Sequence, residues 1–377
     1  MPRWVIAIAG HRSNGPAPYS RPIRVLLDTT FARRAPLSGT GVYLERLAAE
    51  LARLDGVELV TVANERRRRP AGGGAGSVRN LLTDRSWLAT ELPREAARVG
   101  AEVIHHPLPA GARAPGVAQV VTVHDLAFER APELFARGFR TYAHRTHRAA
   151  ARTAGAVICV SETTAADVAG LWQVPRDRIV VAPHGPGQQL EAARPPDERA
   201  RAGRRRAEPG YFLYVGDDEP RKNLPTLLVA YAAYRHGATG EPLELVLAGT
   251  ADVSVPGVRA EHGPGRERLA ELYAGAVALV HPSLYEGFGL TVLEAMSLGT
   301  PVIAARAPGV VDVAGDAALY ADPHDPDRLA AAMAELAASA ELRNDLSERG
   351  QRRAAQFSWT ASARAHVAAY SLALRNR

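Results

Sequence analysis

The stretch that decides the fold reads His281-Pro-Ser-Leu-Tyr-Glu-Gly-Phe-Gly-Leu-Thr-Val-Leu-Glu-Ala-Met-Ser-Leu-Gly-Thr-Pro301. It predicts a strand that ends near Pro282, a glycine-rich loop, and a helix that begins near Leu290 and ends before Gly299. Glycines let a backbone approach a ligand closely, and the N–H groups and dipole of a helix start favour an anion. The stretch therefore predicts a diphosphate-type site at the carboxyl end of a strand.

Short apolar runs alternate with longer helical patterns on both sides of this stretch, which is typical of βαβ units and parallel sheets. Two series of strands are predicted: 23–28, 57–63, 103–105, 119–124, 156–160 and 178–183, then 211–216, 243–249, 276–282, 301–305 and 318–320. The sequence thus indicates two doubly wound α/β domains, whose ligands would lie outside the carboxyl ends of the strands.

A polar segment rich in Arg, Pro and Ala separates the two series and is interpreted as a linker. The expected domains are an N-terminal extension at 1–22, a first domain at 23–190, the linker at 191–209 and a second domain at 210–357. Helical patterns are predicted at 224–234, 266–273, 290–298, 326–357 and 360–374. For the C-terminal helix at 358–377, a return to the first domain is left open.

Composition narrows the class of protein. The chain has 377 residues, of which 46% are apolar and 23% charged, so two sizeable cores are feasible. Its one cysteine, Cys159, excludes an intramolecular disulfide and fits a reducing compartment. The apolar run at 5–10 is too short to span a bilayer or to serve as a secretory signal. A cytoplasmic location is expected.

The formal net charge of +6 is concentrated in two arginine runs, at 66–69 and 204–206. Solvated loops are the favoured interpretation, and peripheral contact with anionic lipid on the inner membrane face is the alternative. Nucleic acid is not expected as a partner, because neither run is interleaved with aromatic residues and no zinc-ligand pairs or RNA-binding signature occur.

Two glutamates of the opening stretch are candidate ligand contacts. Glu286 precedes the predicted helix, and Glu294 falls in its second turn among apolar residues. A carboxylate is costly to bury there without hydrogen-bond donors, and two ribose hydroxyls would supply them. The alternative, on pattern alone, is a solvated glutamate on a helix that merely packs.

These two glutamates, with seven residues between them in a Gly-Phe-Gly and Glu-Ala-Met setting, resemble the signature of family 4 glycosyltransferases. That resemblance covers most of 23–370 and implies the GT-B fold, in which two Rossmann-like domains face each other across a cleft. It also implies that Glu294 binds the donor ribose. Glu286 and the following backbone would hold the sugar and diphosphate, through Gly287, Phe288, Gly289 and Leu290.

A basic pair, Arg221 and Lys222, follows the first strand of the second series within Glu-Pro-Arg-Lys-Asn. Cations near a helix start oppose the helix dipole, and a bound anion would relieve that conflict. On pattern alone two surface cations are the better interpretation. The resemblance implies instead that both neutralise the diphosphate as the sugar–phosphate bond breaks. The adjacent Asp217 and Asp218 depart from the family pattern.

A glycine-rich turn, Ser38-Gly39-Thr40-Gly41, precedes an amphipathic helix in the first domain. Alone, a Gly-x-Gly is weak evidence, since loop flexibility explains it as well. In the family, a glycine-rich loop at this place closes over the donor diphosphate. Gly39, Thr40 and Gly41 are therefore predicted donor contacts.

His124 follows an apolar strand in Val-Thr-Val-His-Asp. A single histidine at a strand end is more often structural. The resemblance implies that this one contacts the transferred sugar near its reacting carbon. Weaker candidates are Asp125, which would orient His124 or cap the next turn, Ser161, which would border the site or cap a helix, and His184, whose role is open.

Further strand-end histidines, His105 and His106, are considered as acceptor contacts. Asp312 aligns with a family glutamate, but no chemistry is assigned to it. The segment 250–265 is shorter than in relatives and usually borders the nucleotide base.

The expected activity is retaining, metal-independent transfer of a hexose from a GDP-mannose or UDP-glucose type donor. The hydroxyl acceptor would be a sugar, a lipid-linked sugar or a small molecule, in synthesis of a cell-surface polysaccharide, glycolipid or glycoconjugate. No metal or other cofactor is expected. The alternatives are a nucleotide-sugar epimerase or a phosphorylase of the same fold, and a non-catalytic sugar-nucleotide sensor.

Overall fold

The computed structural model describes residues 21–36, 38–68, 75–187 and 210–377. The chain divides into two compact units. Unit 1 comprises Met1–Gly185 together with Ser358–Arg377, and unit 2 comprises Pro186–Phe357. The proposed linker at 191–209 and most of the N-terminal extension lie outside the described residues.

The strands follow the apolar runs of the sequence. Those of unit 1 are β1 (Ile23–Asp28), β2 (Val57–Val62), β3 (Val103–His106), β4 (Ala118–Val123), β5 (Ala156–Cys159) and β6 (Ile179–Val181). Those of unit 2 are β7 (Tyr211–Gly216), β8 (Glu244–Gly249), β9 (Val258–His262), β10 (Ala276–His281), β11 (Val302–Ala305) and β12 (Leu319–Ala321).

In the described part of the chain, helices lie between most pairs of successive strands, but not between β3 and β4 or between β8 and β9. The first seven are α1 (Thr30–Arg34), α2 (Gly39–Leu51), α3 (Ala75–Ser86), α4 (Leu92–Val99), α5 (Ala127–Arg130), α6 (Arg137–Thr153) and α7 (Glu162–Trp172). The next seven are α8 (Leu224–Gly237), α9 (Arg266–Gly275), α10 (Leu290–Ser297), α11 (Pro308–Ala314), α12 (Pro326–Ala338), α13 (Ala340–Ala354) and α14 (Trp359–Arg375).

Each unit contains one six-stranded sheet in which every pairing is parallel. The order is β2-β1-β3-β4-β5-β6 in unit 1 and β12-β11-β10-β7-β8-β9 in unit 2. The strand order reverses between β1 and β3 in the first sheet and between β7 and β10 in the second. Such reversals are where doubly wound sheets bind ligands. The predicted fold class, two Rossmann-like α/β domains, is confirmed.

Two details of the predicted secondary structure were wrong. The edge strand β9 was not predicted, because Val258-Arg-Ala-Glu-His262 has none of the apolar continuity of the inner strands. The helical stretch predicted at 326–357 is two helices, because Ser339 ends α12 and caps α13, where its side chain accepts from Leu342 N.

The C-terminal helix α14 packs in unit 1. Its Trp359, Ala363 and Tyr370 belong to the same buried cluster as Tyr43 and Leu44 of α2. Burying several large side chains of α14 against strands from the other end of the chain stabilises this arrangement through the hydrophobic effect.

A buried chain of polar groups ties α14 to the sheet of unit 1. The His366 Nδ1–H donates to Ser362 O (2.7 Å), which leaves Nε2 to accept from the Tyr43 hydroxyl at 2.9 Å. Tyr43 in turn accepts from Thr122 (2.9 Å), and Thr122 accepts from His105 Nε2–H (2.8 Å). His105 Nδ1 then accepts from the Tyr370 hydroxyl at 2.9 Å. Every proton has one place in this chain, and both imidazoles are neutral.

Stability of unit 1 is expected to fall in mild acid. Burial lowers the pKa of His366 and of His124 to about 4, whereas unfolded histidine titrates near 6.5. Between these values the unfolded chain binds more protons, so stability is complete above pH ~6.5 and is lost as the pH falls, by about 1.4 kcal/mol per pH unit for each such histidine.

Melting curves from pH 7.5 to 4.5 test this expectation. The His366→Gln variant should show a shallower pH dependence, and the exposed His262→Gln variant should behave like the parent. A midpoint for unit 1 that stays constant from pH 7.5 to 5 would contradict it.

Candidate functional site

The point of strand reversal in unit 2 collects three charged side chains predicted from the sequence. Arg221 and Lys222 lie in a short 3₁₀ turn, Pro220–Lys222, between β7 and α8. Glu286 lies in the loop between β10 and α10. Because β7 and β10 are neighbours in the sheet, their carboxyl ends bring these two loops together.

Glu286 bridges both cations. Lys222 Nζ donates to its Oε1 at 2.6 Å, and Arg221 Nη1 donates to its Oε2 at 2.9 Å. The side chains are 10% (Glu286), 13% (Lys222) and 21% (Arg221) exposed, so the group is largely removed from solvent. Arg221 also donates through Nε to the more exposed Glu219 at 2.9 Å.

The charge state of Glu286 follows from these contacts. Burial alone would raise the pKa of its carboxyl, but the charges of Lys222 and Arg221 hold that pKa well below its usual range. His281 Nε2 lies 3.3 Å from Glu286 Oε1, without the alignment of a hydrogen bond. Burial lowers the pKa of His281, so its ring is neutral. The cluster therefore holds two cations and one buried carboxylate, with the exposed Glu219 at its edge.

Asn223 fixes the cation-bearing turn, a role that the sequence analysis missed. Its side-chain amide donates to Pro282 O (3.2 Å) and to Pro323 O (2.7 Å), which joins the loops after β7, β10 and β12. Its φ of 57° is left-handed, a conformation that asparagine tolerates better than most residues. Leu284 N also donates to Arg221 O at 2.9 Å. The position of Arg221 and Lys222 is thus set by backbone contacts on three loops.

Glycine is required at two places beside Glu286. Gly289 begins α10 with φ of 95°, which lets the loop turn into the helix without a side-chain clash. Gly309 of α11 packs directly on the backbone of Glu286 and Gly287, where a Cβ atom would overlap their carbonyl groups. The loop Gly287–Gly289 is therefore held tightly, and α10 begins without a side-chain cap.

Glu294 lies on α10 as predicted, and neighbouring residues cover its carboxylate. The side chain is buried, at 3% exposure, and Oε2 accepts from the Tyr273 hydroxyl at 3.1 Å. Burial and then the nearby Glu294 raise the pKa of Tyr273, so its phenol is a donor. The backbone at Gly187 lies against Oε1, with no room there for a Cβ atom. A ribose could reach the Glu294 carboxylate only if the backbone at Gly187 moved away from it.

Asp217 and Asp218 do not form a cluster of ligands. Asp217 O accepts from the Tyr214 hydroxyl (3.2 Å), and Asp218 N donates to Thr250 Oγ1 (3.1 Å), while both residues are on the solvent side. Within the described part of the chain, no group of three or more His, Cys, Asp or Glu side chains could hold a metal ion.

In unit 1, His124 lies directly after β4 and contacts other rings. Its Nε2–H donates to Pro107 O (3.1 Å), so the neutral ring keeps Nδ1 as an acceptor. Tyr43 meets it edge-on with ring centroids 4.9 Å apart, and His184 lies at 5.8 Å. His184 stacks on Trp359 of α14 at 5.2 Å. The predicted residues His124, which is half-buried, and His184, which is buried, thus share one aromatic cluster.

Two weaker candidates act as caps in the structure. Asp125 Oδ1 accepts from Ala127 N at 3.0 Å at the start of α5, and its charge acts to raise the pKa of His124 against the lowering by burial. Ser161 caps α7, since its Oγ accepts from Thr164 N at 3.0 Å.

The glycine-rich turn begins α2. Ser38 caps the helix by accepting from Gly41 N at 3.1 Å, and Gly39 and Thr40 form its first turn. Gly41 is a structural requirement, because a Cβ atom there would overlap Ala35 O and Pro36 O. A Gly39 Cβ atom would meet nothing within 4 Å, so packing does not explain that glycine.

The histidines considered as acceptor contacts lie in the interior instead. His105 and His106 are 0% and 1% exposed. His105 belongs to the polar chain that ends at Tyr370, and His106 bonds Gln119 Oε1 at 2.7 Å. Both lie in β3, an inner strand with neighbours on each side, which is why their side chains are covered.

The arginine run at 66–69 is partly paired. Arg66 contacts Glu91 at 2.9 Å, and Arg67 contacts Asp84 at 2.9 Å. Arg69 and the run at 204–206 lie outside the described residues. Among the helices that the structure describes, none is long and apolar enough to cross a bilayer.

The composition of the whole chain singles out Lys222. It is the only lysine, whereas the other basic positions are arginine. An ammonium is a compact, rotatable point charge, which a planar guanidinium does not reproduce.

Two family models match this chain, and both describe glycosyltransferases. The model described as "Glycosyltransferase Family 4" matches residues 37–186, and the model described as "Glycosyl transferases group 1" matches residues 197–353.

Two relatives illustrate the similarity. O-antigen chain mannosyltransferase B of Escherichia coli is 31% identical over 277 residues, which cover 67% of this chain and 70% of that protein. The MMP alpha-(1->4)-mannosyltransferase of Mycolicibacterium hassiacum is 32% identical over 241 residues, 59% of this chain and only 56% of that protein.

Among solved structures, sucrose-phosphate synthase from Thermosynechococcus elongatus superimposes with a TM-score of 0.70. The alignment covers 90% of this chain and 96% of that one at 20% sequence identity. At this identity the likeness concerns the fold alone.

Proposed function

Because this chain belongs to the family 4 glycosyltransferases, we propose that it moves a hexose from a nucleotide sugar to a hydroxyl acceptor with retention of configuration. The donor is proposed to be GDP-mannose, with UDP-glucose as the second choice. The mannosyltransferases among its relatives support the first. The product would enter a cell-surface polysaccharide, glycolipid or glycoconjugate.

The observation that carries the proposal is the Arg221–Lys222–Glu286 cluster at the strand reversal of unit 2. The two cations are held by backbone contacts and share one buried carboxylate, Glu286, whereas Glu219 contacts Arg221 from a more exposed position. A diphosphate could take the place of the shared carboxylate and neutralise both cations. Pre-positioned cations of this kind stabilise the charge that develops on a leaving group, at no cost in reorganisation.

In the proposed reaction the bond between the anomeric carbon and the diphosphate oxygen breaks with oxocarbenium character. Arg221, Lys222 and the start of α10 take up the charge of the leaving diphosphate. The acceptor hydroxyl attacks on the face that the diphosphate leaves, and a departing phosphate oxygen removes its proton. No glutamate serves as nucleophile. His124 is proposed to contact the transferred sugar, with its neutral Nδ1 as a hydrogen-bond acceptor.

A thermal-shift screen tests the proposal. GDP, UDP, ADP, dTDP and their common sugars are added to the purified protein, and a ligand at 100 times its Kd should stabilise it by about 2.7 kcal/mol. The donor identified is then incubated with an acceptor mixture, and NMR of the product reads the anomeric configuration. Donor consumption without an acceptor would indicate an epimerase, and a requirement for inorganic phosphate a phosphorylase. Binding without turnover would indicate a sensor.

The Glu294→Ala variant should bind the donor more weakly, by about tenfold or more, since a carboxylate that accepts from ribose hydroxyls makes charge-assisted hydrogen bonds. Isothermal titration with the nucleoside diphosphate measures the change. The Tyr273→Phe variant is the matched control, because it removes the partner of Oε2 and keeps the carboxylate. Unchanged donor affinity in Glu294→Ala would contradict the ribose contact.

A further inference from the structure

A cavity of about 610 Å³ lies in unit 1, apart from the residues assigned so far. Its walls come from α5, which follows His124, from the turn Pro132–Leu134 and from α6. The lining residues are Phe128, Glu129, Pro132, Arg137, Arg140, Thr141, His144 and Arg145.

The α6 wall is one continuous stripe of the helix. Positions 137, 140, 141, 144 and 145 follow the i, i+3, i+4, i+7, i+8 spacing of a single face. On an ordinary packing helix this spacing carries apolar residues. Here it carries Arg137, Arg140 and Arg145 beside a threonine and a histidine, so the stripe is built for polar contact.

The three guanidinium groups lack anionic partners. Within the described residues, no salt bridge or hydrogen bond engages the guanidinium group of Arg137, Arg140 or Arg145, and Arg140 is half-buried. Arg137 and Arg140 lie one turn apart on the helix, a spacing at which like charges repel, and Arg145 adds a third positive charge to the same face. The stripe is thus electrostatically unfavourable as it stands, and an anion between the arginines would relieve it.

The one carboxylate in the cavity wall is already engaged. Glu129 Oε1 accepts from His144 Nδ1 at 2.8 Å and from Trp172 Nε1 at 3.0 Å. Three arginines against one glutamate leave an excess of two positive charges among the arginine and glutamate side chains of the lining. That excess matches the charge of a phosphate monoester, and the forked guanidinium donors match its oxygens.

We propose that this cavity binds a phosphate group carried by the acceptor. The assignment of the ligand as acceptor rests on the proposed transferase function. It also rests on α5, which begins three residues after His124 and supplies Phe128 and Glu129 to the cavity. Phe128 and Pro132 provide apolar surface for the carbon skeleton next to the phosphate. The phosphate source is either a soluble sugar phosphate or a lipid headgroup.

The soluble arm of the test is a titration with glucose 1-phosphate, with glucose as the matched uncharged ligand. We expect binding of the phosphate ester only, weakened about tenfold or more in the Arg140→Ala/Arg145→Ala variant, because hydrogen bonds between two charged groups are removed. Arg364→Ala on α14 is the control, since it removes an exposed arginine away from the cavity.

The lipid arm is flotation with vesicles that contain phosphatidic acid, a lipid phosphate monoester, in phosphatidylcholine, or with vesicles of phosphatidylcholine alone. Binding to the first alone, lost in the double variant and kept in Arg364→Ala, supports the proposal with a headgroup as phosphate source. Binding of glucose 1-phosphate with the same dependence supports it with a soluble source. Equal binding by the parent and the double variant in both arms, or no binding in either, overturns it.

A donor measurement separates this proposal from the proposed function. The double variant should retain the nucleotide-induced thermal shift, because binding of the donor nucleotide does not require an acceptor. Loss of phosphate binding while donor binding remains intact would show that the cavity binds the phosphate independently of the donor site. A parent protein that binds the phosphate ester but no nucleotide would reject the transferase and keep the anion site.

Discussion

The Lys222→Ala variant is expected to lose turnover by about 10²–10³-fold, the effect of removing one pre-positioned donor to a developing anion. Lys222 Nζ lies 2.6 Å from the Glu286 carboxylate, for which the diphosphate exchanges in the proposed reaction. The lost interaction is strongest in the transition state, so kcat should fall more than donor affinity. Steady-state kinetics with the donor from the screen, together with titration of the nucleotide, measures both.

Two further variants serve as controls for the Lys222→Ala result. Lys222→Arg keeps the charge but changes its shape, and it should recover only part of the activity. Arg328→Ala removes an exposed cation of unit 2 and should leave turnover unchanged. Melting temperatures confirm that each variant is folded. Near-normal turnover in Lys222→Ala would remove Lys222 from the mechanism.

The Glu286→Gln variant is expected to lose stability in unit 2 by about 3 kcal/mol or more, because breaking a buried ion pair leaves its partner charge uncompensated. Here two cations, Arg221 and Lys222, lose their shared carboxylate. For a unit of this size the melting midpoint should fall by about 6–12 °C. Calorimetry resolves the transition, and excess nucleoside diphosphate should restore more of the midpoint in the variant than in the parent.

Glu219→Gln is the matched control for this prediction. Glu219 contacts the same Arg221 guanidinium at 2.9 Å, but its side chain is 49% exposed. An exposed pair contributes about 1 kcal/mol or less, so this variant should melt close to the parent. Equal midpoints for both variants would mean that Glu286 does not neutralise the cation pair.

The sheets could be predicted from sequence because inner parallel strands are apolar on both faces. Leu26 and Val280 lie in such strands and are 1% and 0% exposed. The edge strand β9 is half polar, so its sequence looks like a loop. The break at Ser339 depended on a cap within an alanine-rich stretch, where helical periodicity is hard to interrupt by eye.

Some residues of the candidate site could likewise be predicted from the sequence, and others could not. Arg221, Lys222, Glu286 and Glu294 could be singled out because their motifs resemble the family signature, whereas the local pattern alone left solvated surface roles open. Asn223 and Tyr273 could not, since their roles depend on contacts with residues tens of positions away, such as Pro323. The link between Tyr43 and His366 joins residues 323 positions apart, and only the folded chain brings them together.

Because Lys222 is the only lysine of this chain, chemical labelling of lysine can report on the site directly. An amine-reactive ester can acylate this chain at one side chain only, apart from the amino group at its start. The rate at which the peptide that contains Lys222 gains the acyl mass would therefore measure how accessible this single amine is. Any compound that occupies the pair should slow that acylation, whether or not a sugar is transferred. Candidate donors and inhibitors could thus be ranked in crude mixtures before an acceptor is known.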